Sequence, residues 1–180
     1  MALSVLVMGF GYAAKTFHVP FLQAMDAYSI AGVVSSDPAK VQGALPGVSV
    51  YNSFEQAIGD DNFDLVVITT PNHLHAEQAE AALRAGCHVL VEKPFTLSSE
   101  RAEQLVALAA QLNKQLCVFH NRRFDGDFLT LKQLIAEQAV GNIKRLESRF
   151  DRFRPTPRKR WRENAGPGSG IFWDLGPHLI

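Results

Sequence analysis

The chain has 180 residues, enough for one full domain and the start of another, and its 18 Lys and Arg balance 18 Asp and Glu. Zero net charge excludes a general attraction to nucleic acid or to anionic membranes. With 47% hydrophobic and 20% charged residues the composition is that of an ordinary globular protein, and Cys87 and Cys117 show neither metal-ligand nor CxxC spacing. Both are expected as buried free thiols in a reducing compartment, and no metal site is expected.

In chain order, the apolar run Leu3–Met8 comes first. It is too short to span a membrane and ends in glycine without a cleavage-type sequence, so it reads as a strand of a cytoplasmic protein. Ile30–Val34, Leu65–Thr69, His88–Val91 and Leu116–Phe119 are further short apolar runs. Apolar residues at consecutive positions imply strands covered on both faces, as in a parallel sheet. Helical patterns lie between them. His75–Ala85 is Ala-rich and ends at Gly86, a natural C′ residue. In Ser98–Asn113, Leu105, Leu108, Ala109 and Leu112 share one face, with Ser98 as N-cap and Glu100 and Glu103 near the positive end of the dipole.

This alternation over residues 1–120 predicts a doubly wound α/β domain. The rhythm changes over 121–180. Asp127–Gln138 reads as a helix closed near Gly141. Ile143–Arg154 then alternates as a strand through Ile143, Leu146, Phe150 and Phe153, imperfectly enough to admit a bulge, and no sheet partner follows before Ile180.

Four motifs carry chemistry. Gly9-Phe10-Gly11-Tyr12-Ala13-Ala14 follows the first strand as G-x-G-x-x-A. Gly9 permits the tight turn, Gly11 lets backbone approach a pyrophosphate, and Ala14 allows close helix–sheet contact. The helix start offers free N–H groups to the phosphates, so Gly9, Gly11, Tyr12 and Ala13 are candidate cofactor contacts. At the end of the second strand, Ser35 and Ser36 stand where a carboxylate would hold the ribose of NAD. Their hydroxyls can donate to a 2′-phosphate, and Lys40 adds charge, which favours NADP over NAD. Asp37 either points back to NAD or caps the helix opening at Pro38.

Two loops at strand ends come third. Thr70, Pro71, Asn72 and His75 in one, and Glu92 and Lys93 in the other, are placed to meet a ligand at the carboxyl edge of the sheet. Lys93 suits a positioned cation and proton relay. From spacing alone, His75 reads equally as a helix-start residue and Lys93 as a solvated charge. Last, Asp174 and His178 stand at i and i+4, where a carboxylate can orient an acid/base imidazole. Pro177 puts the pair in a first helical turn or beside a kink.

Taken together, GxGxxA, TPNxxH, EKP and DLGPH resemble the glucose–fructose oxidoreductase / inositol dehydrogenase / rhizopine-catabolism (Gfo/Idh/MocA) family. Phe17-His18-Val19-Pro20, Phe119-His120-Asn121-Arg122-Arg123-Phe124, and Arg152-Phe153-Arg154-Pro155 with Arg160-Trp161-Arg162 are similar to a subgroup with NADP-dependent scyllo-inositol dehydrogenases. The resemblance implies a Rossmann domain followed by the beginning of an α+β domain with a mostly antiparallel sheet. It implies hydride exchange with a sugar or polyol, with Lys93, Asp174 and His178 catalytic. Gly9, Gly11, Thr70, Asn72, His75 and Glu92 would line the dinucleotide, and Trp161 would approach it. Family members are much longer, so most of the second sheet is expected to be missing and a homo-oligomer is expected only with that domain complete. A cofactor-sensing regulator, or a fragment that only binds dinucleotide, is the alternative. The basic stretch Lys144–Arg162 has no aromatic stacking platform and is not expected to bind nucleic acid.

Overall fold

A computed structural model describes residues 1–151, 153–156 and 160–179. They fall into two units, Met1–Val118 and Phe119–Ile180. The first is built from β1 (Leu3–Met8), α1 (Val19–Ala24), β2 (Tyr28–Val34), α2 (Pro38–Ala44), β3 (Ser49–Tyr51), α3 (Phe54–Asp60), β4 (Leu65–Ile68), α4 (His75–Arg84), β5 (His88–Glu92), α5 (Ser99–Gln111) and β6 (Leu116–Phe119).

The six strands form one sheet in the order β3-β2-β1-β4-β5-β6. All four registered pairings, β1 with β2 and β4, β2 with β3, and β4 with β5, are parallel. The core explains why the strands are apolar at every position. Leu6 and Met8 of β1 pack with Val66, Ile68, Val89 and Leu105 on one face, while Val5 and Val7 pack with Val33, Val41, Val67 and Leu22 on the other. A period of two divides each strand between two covered faces. Pairing of β1 with β2 skips Ala31, so that Leu6 lies opposite Gly32. A Cβ at Gly32 would stand 2.8 Å from the Tyr51 ring, which explains the glycine in mid-strand.

Local signals end the helices as expected. Ser98 Oγ accepts the Arg101 N–H at 3.2 Å at the start of α5. Gly86 follows α4 with φ +84°. Cys87 is buried and donates to the Phe63 carbonyl at 3.2 Å, and burial pushes its thiol pKa up. Cys117 corrects the expectation of two buried thiols. It lies on β6, at the edge of the sheet, and is exposed.

The second unit holds α6 (Gly126–Ala136) and α7 (Ile171–Leu175), with short 3₁₀ turns at Asn121–Phe124, Trp161–Glu163 and Gly176–His178. The strand expected at Ile143–Arg154 does not form: residues 143–151 and 153–154 are irregular, and Arg152 lies outside the described residues. An extended segment gains ladder bonds only from a neighbour, and among the described residues after Phe119 there is no strand to supply one. Ile143, Leu146 and Phe153 are left exposed. Among the described residues no helix is long and apolar enough to cross a membrane.

Candidate dinucleotide site

The strand order reverses between β1 and β4, and the loops leaving these two strands and β5 meet beside that point. The turn after β1 is held from both sides. Gly9 N–H donates to Val34 O at 3.0 Å, while Thr69 Oγ1 donates to Met8 O or Gly9 O, each at 3.0 Å. Gly9 has φ +86°, and a Cβ there would lie 3.2 Å from Thr70 Cγ2. Both conformation and space therefore demand glycine. Gly11 differs: a Cβ there would meet nothing within 4 Å. Its glycine is not required by the protein's own packing.

After this turn the chain winds into a π-helix over Ala14–His18, closed by a bond from Val19 N–H to Ala14 O. Ala14 is fully buried against the sheet. Tyr12 is 76% exposed and meets the Phe17 ring edge-on at 5.8 Å, while Ala13 sits at the helix start with αR geometry. Such wide turns recur at functional sites because the inserted residue re-aims a side chain. Here the side chain is His18, 3% exposed, whose Nε2 donates to Glu92 Oε1 at 2.9 Å.

At the end of β2, Ser35 Oγ accepts the Asp37 N–H at 3.1 Å, and Asp37 Oδ1 accepts the Lys40 N–H at 3.0 Å. Asp37 thus caps α2 ahead of Pro38, the second of its two readings. Ser36 and Lys40 remain exposed at this edge.

In the β4 loop, Pro71 is extended, and Asn72 is buried at 3% exposure. Thr70 Oγ1 donates to Gln78 Oε1 at 2.5 Å. His75 is fully buried; its Nε2 lies 2.9 Å from Thr70 O and its Nδ1 2.8 Å from Pro94 O. The imidazole meets backbone of the two loops rather than open space. After β5, Glu92 Oε2 accepts the Lys93 N–H at 3.2 Å, Lys93 is half-buried, and the Lys93–Pro94 peptide is cis.

In the second unit, Asp174, in α7, has its carboxylate 3.6 Å from Arg160 Nη2 and 3.5 Å from Arg162 Nε. The helix changes from α to 3₁₀ at Gly176, before Pro177. His178 lines a cavity of about 410 Å³ with His120, Arg122, Arg123, Phe128 and Pro177. Asp174 lines a different one of about 200 Å³ with Arg154, Arg160, Arg162 and Glu163. Arg162 also stacks over the ring of Trp161 at 4.6 Å.

Sequence reasoning overlooked Thr69, Gln78 and the use made of His18. Thr69 has a findable signal, as a hydroxyl at the end of the strand beside the glycine turn. His18 stands in the Phe17–Pro20 motif, but its partner is 74 residues away and no spacing shows the contact.

A doubly wound parallel sheet with this glycine turn defines the class: a dinucleotide-binding Rossmann domain. The profile of the oxidoreductase family with NAD-binding Rossmann fold matches residues 3–120, and that of the Gfo/Idh/MocA C-terminal domain matches residues 128–180. The chain belongs to the Gfo/Idh/MocA oxidoreductase family. It is 51% identical over 174 residues to the uncharacterized oxidoreductase YdgJ of Escherichia coli, covering 97% of this chain and 50% of that one. It is 38% identical over 178 residues to the NADP(+) scyllo-inositol 2-dehydrogenase IolW of Bacillus subtilis, covering 99% and 50%. A solved NAD-binding protein from Listeria innocua superposes with a TM-score of 0.89 at 34% identity, covering 99% of this chain and 53% of that one. The chain spans about half the length of the curated relatives it matches.

Proposed function

We propose that the chain binds NADP in preference to NAD and that the whole protein, a cytoplasmic enzyme, interconverts a hydroxyl and a ketone on a sugar or polyol. The observation that supports the cofactor reading is the glycine turn after β1, beside the point where the strand order reverses, with Gly9 fixed at φ +86° and no atom within 4 Å of a Cβ placed on Gly11. Gly9, Gly11, Tyr12 and Ala13 are assigned to the pyrophosphate, and the helix start adds its partial positive charge for phosphate. Ser36 and Lys40, exposed at the end of β2, are the donors for a 2′-phosphate, since Asp37 is engaged as a cap. Ser35 shapes the turn that presents them.

When bound, the nicotinamide supplies or accepts hydride. Lys93 is assigned to the substrate oxygen as a hydrogen-bonding cation, His178 takes or returns the hydroxyl proton, and Asp174 supports it. Thr70, Pro71, Asn72, Glu92 and Trp161 complete the dinucleotide contacts, with His75 holding two of the loops together. The family resemblance and the inositol dehydrogenase among the relatives support the substrate class.

Parallel titrations of the chain with NADPH and NADH test the cofactor assignment. Tighter binding of NADPH is expected. Tighter binding of NADH would overturn the reading of Ser36 and Lys40 and return Asp37 to the ribose.

A further inference from the structure

Two buried histidines reach the segment Glu92–Lys93–Pro94 from different parts of the fold. His18, at the end of the π-turn after the glycine loop, donates to Glu92 Oε1 at 2.9 Å. The other oxygen of that carboxylate accepts the Lys93 N–H at 3.2 Å. On the far side of Lys93, His75 Nδ1 lies 2.8 Å from Pro94 O and its Nε2 2.9 Å from Thr70 O; the neutral ring donates to one of these carbonyls and only the imidazolium to both. Both imidazoles are almost wholly removed from water, at 3% and 0% exposure.

We infer that His18 and His75 are positioning residues that brace the backbone of Lys93 from either side, tying it to the glycine loop and to the β4 loop. A polar side chain is buried at a cost unless its bonds are made, so two such chains converging on one short segment restrict where that segment can lie. Residue 93 lies between the two held residues and carries the ammonium. The brace sets where that ammonium starts from. A displacement of about 1 Å at a reacting group costs on the order of a hundredfold in rate, so such fixing has functional value. The same contacts make the Lys93 loop and the glycine loop one framework, although 74 residues separate His18 from Glu92.

That Lys93 lies towards the nicotinamide end of the ligand rests on the function proposed above; the brace itself does not. The test therefore has two readouts on the 180-residue chain. The first needs no ligand: hydrogen exchange of the Lys93 amide in wild type, His18→Leu and His18→Gln, with His75→Leu and His75→Gln as a second pair. Exchange at Lys93 should speed up at least about tenfold in each Leu variant, with amides of β1 and β4 unchanged, and Gln, which keeps a side-chain N–H, should restore part of the protection. The second readout compares affinity for NADPH with that for 2′-phospho-ADP-ribose, which lacks nicotinamide. His18→Leu should weaken NADPH binding about tenfold and change the nicotinamide-free ligand less than twofold, whereas a general loss of structure would weaken both. Unchanged exchange at Lys93 in the folded Leu variants overturns the brace. Failure of the wild-type chain to bind either ligand overturns the cofactor reading and leaves the exchange result to decide the brace.

Discussion

Two glycines in one motif do different work. Gly9 is needed by the fold: its φ is +86°, and a Cβ would press on Thr70 and Thr69. Gly9→Ala should therefore lower unfolding free energy by about 1–3 kcal/mol, read from urea denaturation. A variant as stable as wild type would show that the turn relaxes freely. Gly11 has no such constraint, and its side-chain space is open. The spacing G-x-G announces both, but only the structure separates a glycine held by packing from one that packing does not require. Asp37 was ambiguous for a related reason. A carboxylate after a strand can meet a ribose or cap a helix, and which it does depends on the path of Ser35–Pro38.

At the scale of elements, α4 and α5 are joined by Glu80, whose carboxylate meets Arg84 at 2.9 Å through Nε and also meets Arg101. These two guanidinium groups, Arg84 foremost, hold the Glu80 carboxyl below its usual pKa. A folded-state pKa below the unfolded one means a contribution present above the ordinary carboxylate range. That contribution is lost as pH falls through the lowered folded value. The site is near the surface, so Glu80→Gln should cost less than about 1 kcal/mol at neutral pH. The difference from wild type should vanish on acidification, and a difference that persisted in acid would point to packing instead. The elements legible beforehand were those with a strong local signal. Consecutive apolar runs marked β1, β2, β4, β5 and β6, and Ser98 and Gly86 marked helix ends. β3, only Ser49–Tyr51, escaped notice because three residues carry almost no periodicity, and α3, seven residues long, went unread as well. The segment from Ile143 misled in the opposite sense: its pattern suits a strand, but a strand is a property of a pair.

At the scale of the whole molecule, sheet and site are one construction. The alternation of apolar runs and helices requires a parallel sheet with both faces covered, and such a sheet gathers its loops at one edge. The candidate residues of the first unit were legible because they follow strands. The brace was not, because contacts between segments far apart in sequence leave no spacing to read. In the second unit Asp174 and His178 were chosen for their helical interval, and the backbone changes from α to 3₁₀ between them, at Gly176. The central claim is that the glycine turn after β1 is shaped for a dinucleotide, and Gly11 tests it most directly. The measurement is a fluorescence titration of the wild-type and Gly11→Ala chains with NADPH, with thermal unfolding followed on both. Saturable binding by wild type, at least about tenfold weaker in Gly11→Ala at an unchanged melting temperature, is the predicted result. Equal affinity in the two chains, or no binding by folded wild type, would contradict it.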